Sequence, residues 1–167
     1  MAIERWKPSP SYTRQELFLL KLLRRTRKLF AFLRDHRLEI FDEAMQAELA
    51  SMYRDTGAGK DPVCPALMAM ACILQGYLGV SDAEAVMLTV VDLRWQMVLD
   101  CLGSAEPVFS QGAFQEVRQR LIRHDMDRRL MEKTIQLART TGAFDFKKLP
   151  KTLRVALDSS PLEGAGR

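Results

Sequence analysis

Residues 65–77 read PALMAMACILQGY, and their reading decides the fold. The stretch is almost wholly apolar, too short to cross a bilayer, and long enough for a buried helix at the centre of a core. Pro62 and Pro65 suit its entrance, where a missing backbone N–H costs nothing, and Gly79 stands where it would stop. Just beyond, Ser81-x-x-Glu84 has capping-box spacing and opens a helix to about Val91. A shorter helix, Asp92 to Leu102, carries Leu93, Trp95, Val98 and Leu99. The methionines along this region read as packing residues.

Upstream, Thr13-x-x-Glu16 is a second capping box. From it one helix is expected, gathering Phe18, Leu19, Leu22, Leu23, Leu29, Phe30 and Leu33 on one side. Arg14, Lys21, Arg24 and Lys28 project from the opposite side as a basic ridge that could meet DNA phosphates or simply face water. Residues 1–12 form a proline-interrupted extended arm, and a helix from Asp42 to Tyr53 places Met45, Leu49 and Met52 in register. The following RDTGAGKDP is a turn. A Walker-type loop needs glycine where Arg54 stands, and a hydroxyl rather than the Asp61 carboxylate after Lys60.

Downstream, Gly103 to Phe109 is a loop, and Ser110 can cap a helix to His124 that turns Phe114, Val117 and Leu121 inward. Gln111, Gln115 and Arg118 follow at spacings of four and three and share a face. Gln pairs bidentately with adenine and Arg with guanine in the major groove, so this face could act as a recognition helix. The loop before it is longer than the three or four residues of a helix-turn-helix. Asp125 can cap a last helix through Thr141, with Gly142 to stop it. After the connector AFDFKKLPK, Leu153 to Leu157 alternates like a strand and ends on Asp158.

The chain of 167 residues carries a net charge of +4, unevenly spread. Residues 1–40 have a balance of +6, residues 41–110 of −7 and residues 111–167 of +5. Basic ends around an acidic middle suggest a polyanion partner for the ends. Three cysteines without a CxxC pair and two histidines argue against a disulfide framework or a zinc set. No apolar run is long enough for a membrane span and the N-terminus lacks a signal-peptide core, so a cytoplasmic, nucleoid-associated protein with no membrane partner is expected.

DLRWQMVLDCLG (92–103), PVFSQGAFQEVRQRLIRHDMDRRL (107–130) and LRVALDSSPLEGAGR (153–167), with VSDAEAV before them, resemble in order and spacing the N-terminal part of bacterial insertion-sequence transposases of the DDE class. The resemblance implies a helical region preceding a ribonuclease-H-like catalytic domain. It matches Asp158 to the first of three acids that hold two Mg²⁺ or Mn²⁺ ions in the full-length protein. Hard cations take oxygen ligands, and a two-metal phosphoryl-transfer site needs carboxylates converging from separate elements. The other two acids are expected beyond Arg167, so no metal is expected bound here and the chain is expected to be catalytically incomplete.

The expected fold is therefore all-α, with about six to seven helices, a helix-turn-helix-like element and a strand-like C-terminal tail. Its organisation is an arm (1–12), a helical transposase region (13–149) and the start of a catalytic domain (150–167). The expected function is DNA binding and assembly in DNA transposition. Its partners are double-stranded DNA at the element's terminal inverted repeats and other transposase subunits. The alternative is a helical oligomerisation module without its own DNA readout. A stand-alone metal-dependent nuclease fails on ligand count.

Overall fold

The computed structural model describes residues 3–53, 62–145 and 147. Among them are eight helices and no strand: α1 (Arg14–Thr26), α2 (Lys28–Ile40), α3 (Glu43–Ser51), α4 (Pro65–Leu78), α5 (Asp82–Val91), α6 (Leu93–Leu99), α7 (Gln111–Arg123) and α8 (Met126–Thr140). The strand-like segment 153–157 and Asp158 lie outside the described residues.

The apolar stretch is the central helix. α4 begins with Pro65 at its first turn and buries Ala66, Met68, Ala69, Met70, Ala71 and Leu74. Helices α3, α5, α6 and α7 all pack on it, its alanines allowing close approach. Gly79 closes it in the left-handed region (φ 68°), donating its N–H to the Gln75 carbonyl at 2.8 Å. A Cβ at Gly79 would meet no atom within 4 Å, so Gly79→Ala carries backbone strain alone. The expected loss is about 1–2 kcal/mol, measured by urea unfolding.

The N-terminal half corrects the sequence reading. The helix expected to run from Thr13 through Leu33 is two helices, broken at Arg27 (φ −140°, ψ 62°). Unbroken, the 27 residues from Arg14 to Ile40 would make a rod of about 40 Å. The break instead folds α1 back on α2, so both helices cover the same core. It also rotates the stripe: Leu20 is 1% exposed, whereas Phe18 and Leu22, expected inward, are 65% and 51% exposed. The Thr13 capping box is present, with Glu16 N–H donating to Thr13 Oγ1 and Thr13 N–H to Glu16 Oε2.

Two buried arginines on α2 tie the arm to the bundle. Arg34 donates to Glu16 Oε1 at 2.6 Å and to the Ser11 carbonyl at 2.7 Å. Arg37 donates to the carbonyls of Met97, Val98 and Ser9 and to Asp100 Oδ1. Both carbonyls lie in the last turn of α6, where intrahelical donors run out; Met97 O accepts besides only a long bond from Asp100 N–H, at 3.4 Å. Asp100 (φ 61°) ends that helix, earlier than the Leu102 expected. Farther along the arm, Trp6 is buried edge-on against Phe41, and its backbone exchanges two hydrogen bonds with the Gln46 side chain.

Ser110 caps α7 as expected, accepting from Ala113 N–H at 3.2 Å. Asp125 does not cap α8 through its side chain. It sits in the left-handed region (φ 56°) and makes the sharp turn between α7 and α8.

Candidate nucleic-acid interface

α7 is held by one face and open on the other. Phe114, Val117 and Leu121 are buried, and α4, α5 and α8 pack on this helix. Phe109, from the preceding loop, stacks on Phe114 with ring centroids 4.8 Å apart. Opposite them, Gln111 and Gln115 are exposed, as is Gln119, one further turn along the same face. Gln119 escaped the sequence reading, although its spacing of four from Gln115 marks it as a neighbour.

Arg118 is not open in the same way. Its guanidinium forks onto the Asp82 carboxylate, with Nη2 to Oδ2 at 2.8 Å, and Nη1 also donates to Gln75 Oε1 at 3.1 Å. The Arg118 hydrogen bond, with Gln75 beside it, holds the Asp82 carboxyl below its ordinary range. Asp82 raises the Arg118 guanidinium in turn. Arg118 thus pins the middle of α7 to the first turn of α5.

The four basic residues of the expected ridge divide between two surfaces. Arg24 and Lys28 line a shallow cleft of about 270 Å³ with Phe32, Asp35 and His36, and Arg24 pairs with Asp35 at 3.0 Å. Arg14 and Lys21 are exposed on the outer side of α1, among Leu17, Phe18 and Leu22. Arg25 and Arg27, not singled out from the sequence, are exposed as well.

Helix-turn-helix geometry occurs elsewhere. α4 and α5 turn through 106° across the three residues Gly79 to Ser81, within the range of such motifs. Between α6 and α7 the connection runs from Asp100 to Ser110. The outer face of α5 carries Glu84, Met87 and Val91, an acidic and apolar set that a phosphate backbone would not attract. The angle belongs to α4–α5, and the polar reading face to α7.

Asp158, the residue matched to the catalytic triad, lies outside the described residues. Among the described ones, no three His, Cys, Asp or Glu side chains converge as metal ligands. Burial pushes the Cys72 thiol up to about 12 and the Cys101 thiol up to about 11, which keeps both protonated at neutral pH. No single described helix is long and apolar enough to cross a membrane.

Residues 21–120, well over half of the chain, match the family model described as Transposase domain (DUF772). Comparisons with curated proteins and with solved structures gave no match. The family match agrees with the resemblance carried by the segments from Val80 to Leu130, and its span runs from within α1 to within α7. The chain belongs to the transposase domain family, and its role is in transposition.

Proposed function

We propose that this domain recognises the DNA ends of an insertion sequence and helps assemble the transposase on them, with α7 as the reading helix. The observation that carries this reading is the row of amides on α7, exposed along one side of a helix that the core grips by the other. Gln111 and Gln115 present donor–acceptor pairs suited to adenine edges. Ser110 fixes where the helix starts, and the Arg118–Asp82 fork fixes its rotation against α5. In this arrangement Arg118 positions the reading face. Phosphate contacts fall to Lys28, Arg27 and Arg24 at the α1–α2 corner, which supply affinity without sequence information.

Single substitutions separate these roles. Gln111→Ala and Gln115→Ala are each expected to weaken binding to the element's inverted repeat by about 1–3 kcal/mol, leaving a scrambled duplex unaffected. Lys28→Ala is expected to weaken both duplexes alike and to reduce the salt slope by about one. Fluorescence anisotropy titrations measure both. Equal losses on both duplexes for the glutamine variants would remove base reading from α7.

A further inference from the structure

Two helix faces are left uncovered by the described residues. On α1, Leu17, Phe18 and Leu22 are each more than half exposed. At 100° per residue they fall together with Arg14, Lys21 and Arg25, on the side opposite the buried Glu16, Leu20 and Leu23. On α5, Met87 and Val91 are likewise more than half exposed and align with Glu84, opposite Ala85 and Thr89. Isolated exposed apolar residues are ordinary, but clusters along one helix mark interaction surfaces.

We propose that these faces are the two halves of one interface between copies of this chain, α1 of each protomer lying on α5 of its partner about a twofold axis. The proposal deepens the assembly half of the function above and rests on that reading. Charge selects the pairing. Arg14, Lys21 and Arg25 have no ion-pair partner among the described residues, and three cations would repel one another across an α1–α1 contact. On α5, Asp82 is taken by Arg118 and the adjoining Asp92 by Arg94, which leaves Glu84 as the acid at the rim of the apolar face. The stems of the α1 cations can cover Met87 and Val91 while their charged ends reach Glu84.

Phosphate is the weaker fit for this side of α1. Leu17, Phe18 and Leu22 gain nothing from a phosphate backbone, whereas burial against Met87 and Val91 removes apolar surface from water. A one-way contact between unlike faces propagates into open chains, while the reciprocal arrangement closes at two copies.

Sedimentation equilibrium of the chain tests the proposal, with circular dichroism melting to confirm that each variant is folded. The unaltered chain is expected to dimerise. Phe18→Ser, Lys21→Glu and Glu84→Lys are each expected to weaken the dimer at least about tenfold while remaining folded at the temperature of the measurement. Mixing the Lys21→Glu and Glu84→Lys chains, or combining both changes in one chain, is expected to restore the dimer, because each contact regains opposite charges. A monomeric chain, a dimer indifferent to these charges, or variants that fail to rescue one another would overturn the interface. Loss of duplex affinity in Phe18→Ser with no change in mass would assign this face to DNA instead. Duplex binding by a monomeric chain would leave the recognition reading standing, so the two failures are distinguishable.

Discussion

Arg37→Met is expected to destabilise the domain by about 3 kcal/mol, at the lower end of the cost of breaking a buried charged pair by removing one partner. The Arg37 side chain is 1% exposed. It donates to Met97 O at 2.9 Å, Val98 O at 3.1 Å, Ser9 O at 2.7 Å and Asp100 Oδ1 at 2.7 Å. One guanidinium therefore satisfies the end of α6, the arm and the residue that terminates the helix. Methionine keeps much of the volume, so the loss is of hydrogen bonding rather than packing. Three facts hold the figure down. Burial, with the like charge of Arg34, pulls the Arg37 pKa below its ordinary value, and its Nε has no partner among the described residues. Asp100 is partly exposed and can turn to water. For a chain of this size the melting temperature should fall by roughly 6–12 °C, a shift that thermal unfolding measures directly.

Glu16→Ala is expected to cost at least as much, about 3–5 kcal/mol. Glu16 and Arg34 are both buried, and the two carboxylate oxygens serve different donors. Oε1 accepts from Arg34 and Oε2 from the Thr13 N–H. Alanine strands the Arg34 charge and opens the capping box in one step. Glu16→Leu combined with Arg34→Met removes both charges and should recover most of the loss, since apolar replacement of a whole buried pair is often neutral. If the double variant were no more stable than Glu16→Ala, the loss would lie in the cap and not in the stranded cation.

The same carboxylate sets an acid limit. Burial alone would raise its pKa, but the hydrogen bonds from Arg34 and Thr13 outweigh burial and hold it below the ordinary 4.5. A depressed folded-state pKa contributes stability that is fully present above the unfolded value and lost as pH falls through the folded one. Stability should therefore decline below about pH 4.5, and Glu16→Gln should flatten that decline. Asp82 and Asp92, both lowered, act in the same direction.

Much of this architecture can be read from local sequence because local rules govern it. The α4 helix follows from an apolar run between Pro65 and Gly79, the starts of α1 and α7 from Thr13 and Ser110, and the outward row on α7 from spacing. What escaped depends on residues far apart in the chain. The break at Arg27 falls in RTRK, which holds neither proline nor glycine. The break lets α1 fold onto α2, a gain that lies in tertiary packing and not in the local sequence. A single helical period carried through that break turns Phe18 and Leu22 inward, whereas both are exposed. Arg34 and Arg37 look like wet-face residues until Glu16, Ser9 and Asp100 are seen around them. From spacing alone Arg118 joins the reading face, and its pairing is not visible there because Asp82 stands 36 residues away.

The most direct test of the recognition proposal compares two labelled duplexes by fluorescence anisotropy, at low and at moderate salt. One carries the inverted repeat flanking the gene and the other a scrambled sequence of equal composition. Tighter binding to the repeat is expected, with affinity for both falling steeply as salt rises. Equal affinity for the two duplexes, or no binding to either, would contradict it.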